Sequence, residues 1–212
     1  RYSSMHPFWR LIGASVTGTS HTKSGQPCQD AHAYDEVAGC ALLVVADGAG
    51  SAERSAEGAQ CASRAALASL SAALAGGWPV ARDPDPWRDL FAAAYATAKA
   101  EVETLAASAG MPARAFATTL LCAALSDRGL AVAQIGDGVA AAFAANGDWF
   151  LAAQPQRGEY ANETYFLSQA DALQHLDVTV YAEPVRALAL MTDGLLRLVL
   201  NAQRQPHEPF FR

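Results

Sequence analysis

Basic charge is scarce in this chain. Fifteen Lys and Arg face 21 Asp and Glu, leaving a formal charge of −6, and no basic run interrupts the acidic background. Binding to nucleic-acid phosphates needs clustered Lys and Arg, so no nucleic-acid partner is expected. Long apolar runs are also missing: none approaches the roughly 20 residues that span a bilayer. Residues 1–10 carry charge without the apolar centre of a signal peptide. No membrane partner is expected. The four cysteines, Cys28, Cys40, Cys61 and Cys122, form no Cys-x-x-Cys pair and no Cys/His cluster with zinc spacing. They read as small buried hydrophobes of a protein in the reducing cytoplasm. Cys28 stands apart, two residues from Asp30. A Gly-x-Ser-x-Gly elbow, a Walker-type phosphate loop, coiled-coil heptads and internal repeats are absent as well. The sequence therefore sets no oligomeric state, and its serines are not needed as nucleophiles.

What is present is core material. With 212 residues, 51% hydrophobic and 17% charged, the chain is long and apolar enough for one folded domain and too apolar for disorder. It opens on Arg1 and stops at Pro209-Phe210-Phe211-Arg212. Both ends are expected to be cut or to continue beyond these residues.

Residues 12–20 alternate loosely and predict a strand. Residues 40–46 form a continuous apolar run, the pattern of a strand buried on both faces. Residues 51–74, rich in Ala, Ser and Leu, predict a helix able to pack closely on a sheet, with Ser51 as its cap. Asp83-Pro84-Asp85-Pro86 opens a second helix, with Asp85 as cap and Pro86 at the first helical position. Its stripe of Trp87, Leu90, Phe91, Ala94, Tyr95, Ala98, Val102 and Leu105 reads as core packing. Strands are predicted at 116–125, 130–135 and 139–145, joined by hairpin turns at Asp127-Arg128-Gly129 and Asn146-Gly147-Asp148. A polar loop covers 154–163. Further strands are predicted at 164–167, 176–181 and 187–191, and a helix starts at 195–200. Helices grouped between strand-rich segments favour a layered α+β domain over alternating βαβ winding.

Three Asp-Gly pairs close apolar runs: Asp47-Gly48 in Val44-Val45-Ala46-Asp47-Gly48-Ala49-Gly50-Ser51, Asp137-Gly138 after Ile135-Gly136, and Asp193-Gly194 after Leu190-Met191-Thr192. Asp30 ends Gly25-Gln26-Pro27-Cys28-Gln29-Asp30. One such pair is an ordinary turn element; three at strand ends are less easily coincidental. Carboxylate oxygens select hard cations such as magnesium, manganese or calcium. Glycine beside them lets backbone approach an ion. A carboxylate at the end of a rigid strand, such as Asp47, can bridge two cations about 3.5–4 Å apart, the arrangement that stabilises phosphoryl transfer to water. The Gly48 carbonyl is a further candidate ligand. If their strands are neighbours, Asp47 and Asp193 face one pocket, where bound cations would relieve their repulsion. Gln29 and Asp30 are candidates to hold the water molecules around the ions.

In this order, and with Ala117-Thr118-Thr119 between them, the motifs resemble those of the metal-dependent protein phosphatases, the PPM or type 2C family, in its compact bacterial branch. The resemblance runs from about Gly13 to the C-terminus. It implies an α-β-β-α sandwich of two antiparallel sheets flanked by helix pairs. It also implies a phosphoserine/phosphothreonine protein phosphatase using two or three Mg2+ or Mn2+ ions, with water attacking phosphorus directly. By motif match Asp47 would bridge two metals, Gly48 would offer its carbonyl and Asp193 would bind the first metal. Asp30 would act through water, and Asp137 would help hold a third, labile metal. Thr118 and Thr119 fall in a motif that is mainly structural. A phosphorylated protein is the implied substrate, and a partner Ser/Thr kinase is expected because such phosphatases often oppose one.

Three positions depart from the family pattern. Ala49 stands where members often carry a histidine, so His21 and His32 are the candidate proton donors. Gly25 stands near the usual phosphate-binding arginine, leaving Lys23 or Arg54 to meet the phosphate. No aspartate follows Asp193, although the family's last metal ligand lies on a later strand. Either residues 1–212 are a single domain without its last C-terminal strands, or the site is incomplete. The alternative function is a catalytically weak or inactive phosphoprotein-binding regulatory module on the same fold.

Overall fold

The computed structural model describes residues 9–18, 25, 27–79, 84–156 and 164–211. In chain order the strands are β1 (Asp30–Val37), β2 (Cys40–Asp47), β3 (Leu120–Ser126), β4 (Gly129–Ile135), β5 (Val139–Ala144), β6 (Trp149–Ala153), β7 (Asp177–Tyr181) and β8 (Val185–Met191). The helices are α1 (Ser55–Leu74), α2 (Pro84–Ser108) and the single-turn α3 (Leu196–Val199) and α4 (Glu208–Phe211).

The uninterrupted apolar runs become the middle strands. All residues of β3 and β4 are buried, because the five-stranded sheet β1-β2-β3-β4-β7 is covered on both faces. Successive side chains leave a strand on opposite faces. Leu42, Val44, Ala46, Cys122, Ala124, Ala131, Ala133 and Ile135 therefore meet α1 and α2. Ala41, Leu121, Ala123, Leu125, Leu130 and Val132 face the second sheet, β6-β5-β8. A third cluster of Val139, Ala141, Met191 and Val199, with Trp149, Leu196 and Phe211 packed on it, sits between that small sheet and α3 and α4. Three apolar layers separate four structural layers, and all strand pairs are antiparallel. This is the α-β-β-α sandwich expected, with single-turn helices on the small-sheet side.

Small side chains allow the helix layer to approach closely. α1 turns Gly58, Ala59, Ala62, Ser63 and Ala66 inward; a Cβ on Gly58 would fall 2.1 Å from the Phe116 carbonyl oxygen. α2 buries Trp87, Phe91, Ala94, Tyr95, Ala98 and Val102, the predicted stripe except for Leu90 and Leu105, which are half-buried against the same core. The Tyr95 hydroxyl lies 3.0 Å from the Leu120 carbonyl and 2.6 Å from that of Ala133, tying α2 to β3 and β4.

Several sequence expectations change. Residues 9–18 form no strand; Trp9 and Leu11 anchor them on the inter-sheet core instead, and residues 19–20 lie outside the described residues. Ser51 does not cap α1, which begins at Ser55 after Arg54 with no side-chain cap. At the N-cap position the Arg54 N–H donates to the Ala115 carbonyl (2.8 Å), and earlier in the approach the Ala49 N–H donates to that of Ala117 (2.9 Å). α2 starts at Pro84 rather than Pro86, and Asp83 lies outside the described residues. Residues 113–116 make a 3-10 turn, so β3 begins at Leu120 rather than near 116. Residues 164–167 have no strand ladder, although Leu167 N–H reaches the Thr118 carbonyl at 2.8 Å. β1 and β6 were not predicted. Much of β1 is exposed, and its sequence, DAHAYDEV, is half polar, as an edge strand permits.

Candidate metal centre

Antiparallel register brings the aspartates together in pairs. Asp30 and Asp47 are direct partners at the end of the β1–β2 ladder. In the small sheet Val139 partners Met191, and two further residues along each chain bring Asp137 and Asp193. Each sheet thus presents one carboxylate pair at one end of the sandwich. All four line a single cavity of about 870 Å³, together with Cys28, Gln29, His32, Gly48 and Thr119. Like charges placed opposite each other destabilise a sheet, so this arrangement strains the ladder ends unless something neutralises it.

The backbone at Asp47 is tied down. Its N–H donates to Thr119 Oγ1 (3.0 Å), while its carbonyl accepts from Thr119 N–H (2.8 Å) and from Thr118 Oγ1 (3.0 Å). Gly48 donates to the Gln29 carbonyl at 3.1 Å. A Cβ on Gly48 would lie 2.8 Å from that oxygen and from Ser55, so only glycine fits. Asp137 sits between Gly136 and Gly138, where the chain passes from β4 to β5. Thr164 Oγ1 donates to its Oδ2 at 2.8 Å. Asp193 begins a 3-10 turn, Asp193–Leu195, directly after β8.

Electrostatics follow from this crowding. The Asp47 carboxyl is pushed from 3.8 up to about 8, first by burial, then by the charges of Asp30 and Asp193, a hydrogen bond with Asp193, and Asp137. Asp137 is also raised, chiefly by burial and against the hydrogen bond from Thr164, with Asp193 adding to the rise. Sharing a proton is how a carboxylate pair lowers its repulsion without a cation. The Oε1 of Gln29 is buried with no hydrogen-bond partner among the described residues, a further oxygen donor in the cavity wall. An all-oxygen donor set of this kind fits magnesium or manganese. Among the described residues, no three His, Cys, Asp or Glu side chains already close on a common ion position. The fit therefore rests on donor chemistry and convergence, not on a ready-made coordination shell.

Asp30, Asp47, Gly48, Asp137 and Asp193 are thus brought to one cavity. Arg54 is not: its guanidinium is paired with Glu57 one turn along α1 and lies 4.9 Å from the centre of the Phe116 ring. Its place in the first turn after Asp47-Gly48 gave it apparent proximity, but its side chain turns to Glu57 and the Phe116 ring. His21 and Lys23 lie outside the described residues. No Lys or Arg is among the cavity's described lining residues. His32 does line it, with Nδ1 2.9 Å from Ser15 Oγ. A Cβ on Gly13 would fall 2.3 Å from the His32 ring, so the 9–18 segment is fitted against that histidine. Sequence reasoning missed Gln134 and Gln156, which brace the Asp137 turn. The available signal was a glutamine inside an otherwise apolar strand.

The sequence profile described as protein phosphatase 2C matches residues 17–212. The chain is 34% identical over 209 residues to serine/threonine-protein phosphatase 3 of Escherichia coli (strain K12), covering 96% of this chain and 80% of that protein. Among solved structures it resembles the serine/threonine phosphatase Stp1 of Staphylococcus aureus, with a TM-score of 0.61 and 14% identity, over 90% of this chain and 78% of that one. It also resembles a stage II sporulation E family protein of Thermanaerovibrio acidaminovorans, with a TM-score of 0.57 and 21% identity, over 80% and 84%. The two structural likenesses bear on the fold alone.

Proposed function

The chain belongs to the protein phosphatase 2C family and is a serine/threonine protein phosphatase of the PPM type, and we propose that its reaction takes place in the cavity where the two aspartate pairs meet. The family is metal-dependent and acts on phosphoproteins. The observation that carries the assignment of the site is the convergence of Asp30 and Asp47 from one sheet with Asp137 and Asp193 from the other. In this reading residues 1–212 belong to one domain of this family, which the profile match over 17–212 supports.

In this reading Asp47 and Asp193, with the Gly48 carbonyl, would hold two Mg2+ or Mn2+ ions, Asp30 would act through water, and Asp137 would contribute to a third, weaker position. When bound, the cations supply positive charge to the phosphate oxygens and acidity to the attacking water. Thr118 and Thr119 keep the Asp47 backbone from moving as charge develops, which is the value of a preorganised site. Water attacks phosphorus, the bond from phosphorus to the seryl or threonyl oxygen breaks, and that oxygen takes up a proton. His32 is the donor we assign: it lines the cavity and is oriented by Ser15. No covalent phosphoenzyme forms. The opposing Ser/Thr kinase is a natural partner, and the four free cysteines are in keeping with work in the cytoplasm. Among the described residues no helix is long and apolar enough to cross a membrane.

The test is direct. With manganese the protein should hydrolyse p-nitrophenyl phosphate and a phosphothreonine peptide, and Asp47→Asn and Asp193→Asn should each abolish both activities. Undiminished turnover by the two variants would refute the site.

A further inference from the structure

The turn that carries Asp137 is shaped by one buried side chain. Gln134 is 2% exposed, near the end of the otherwise apolar β4. Its amide Nε2 donates to the carbonyl of Gly136 (2.8 Å) and to that of Gly138 (2.7 Å). One NH₂ group has two hydrogens, and both are committed to the carbonyls flanking Asp137. Gly136 adopts a φ of 118°, and a Cβ there would fall 2.5 Å from Thr119, the residue that fixes the Asp47 backbone. From the other side Gln156 accepts from Gly136 N–H through Oε1 (2.8 Å) and donates through Nε2 to the His175 carbonyl (2.8 Å). The turn is thus held by two glutamine side chains, Gln134 and Gln156.

We infer that Gln134 is a positioning residue for the cation site at Asp137: by turning both neighbouring carbonyls toward its own amide it fixes the backbone from which the Asp137 carboxylate enters the cavity. Gln134 does not line the cavity and touches no substrate. A hydrogen-bonded polar group inside an apolar strand is retained against a desolvation penalty, and here its donors go to the two residues that bracket a proposed ligand. The Asp47 backbone has bonds of its own, to Thr118 and Thr119, so the main effect of Gln134 falls on the weaker position. This inference rests on the reading of Asp137 as a cation ligand.

Mn2+ binding to the full chain, followed by electron paramagnetic resonance and calorimetry, separates the two ideas. The parent should show a tight and a weak class of sites, and Asp137→Asn should remove the weak class. Gln134→Met, which keeps the size and removes both donors, should weaken the weak class by about tenfold or more and leave the tight class unchanged. Gln134→Asn, which keeps the amide one methylene short of its place, guards against misfolding of the first variant and should give an intermediate loss. Tyr95→Phe removes buried hydrogen bonds on the helix side of the sheet; it should lower Tm with both Mn2+ classes intact. If the Gln134 variants lower Tm but hold weak-site affinity within about twofold of the parent, Gln134 is only structural and the inference fails. If Asp137→Asn removes no Mn2+ from the parent, the reading of Asp137 falls, and the inference falls with it.

Discussion

Replacing Asp47 by asparagine should stabilise the cation-free protein at neutral pH while abolishing catalysis. The reason is the proton on Asp47. In the folded state its carboxyl holds that proton up to about pH 8, against 3.8 as the ordinary value. Between these values the native state binds more protons than the unfolded chain, so stability falls as pH rises. The contribution is fully present below 3.8 and is lost as pH climbs through about 8. At about 1.4 kcal/mol per pH unit the full shift sets a ceiling of about 5 to 6 kcal/mol. Relaxation and water entry reduce the observable part to about 2 kcal/mol. An asparagine side chain has nearly the same shape and no charge, so the variant should lack most of this slope. Asp137, whose carboxyl is also raised, leaves a shallower one. Urea unfolding in chelator should therefore find parent and variant similar near pH 5, with the variant about 2 kcal/mol more stable near pH 8. Excess Mn2+ should reverse the order at the higher pH, because a ligand that binds only the native parent stabilises it by mass action. An Asp47→Asn variant with the parent's pH slope, or parent stability unmoved by Mn2+, would refute the claim that these carboxylates repel one another in a shared site.

Three further outcomes bear on the same cavity. Gly48→Ala, whose Cβ has no room beside the Gln29 carbonyl and Ser55, should lower stability by about 2–3 kcal/mol and lose Mn2+-dependent turnover, as seen in unfolding curves and p-nitrophenyl phosphate assays. Arg54→Ala should leave kcat/KM for a phosphopeptide within about twofold of the parent, since its partner is Glu57 rather than anything in the cavity; a large rise in KM would restore it as a phosphate ligand. His32→Gln should cut kcat for a phosphoserine peptide by about a hundredfold. It should spare p-nitrophenyl phosphate, whose leaving group needs no proton; equal losses on both substrates would remove His32 from the role of acid.

Two kinds of information divide this protein. Composition and periodicity were enough for the buried strands, because β2, β3 and β4 lie between two covering layers and so need nearly every residue apolar. The stripe of α2 and the small inward face of α1 were legible for the same reason. β1 was not, since an edge strand meets the core with part of its surface only and has no strong pattern to read. The aspartates at 30, 47, 137 and 193 stood out as motifs, but a motif has no position in space. Their meeting was decided by register: Asp30 opposite Asp47 in one sheet, and Asp137 and Asp193 continuing the Val139–Met191 pairing in the other. Proximity in sequence was a poor guide at Arg54, whose side chain pairs with Glu57 and lies over Phe116 instead of lining the cavity. Gln134 carried a weak signal, a polar residue in an apolar strand. Its two hydrogen bonds to the carbonyls around Asp137 exist only because the chain folds back at Gly136, where a backbone conformation that favours glycine brings both acceptors to one amide.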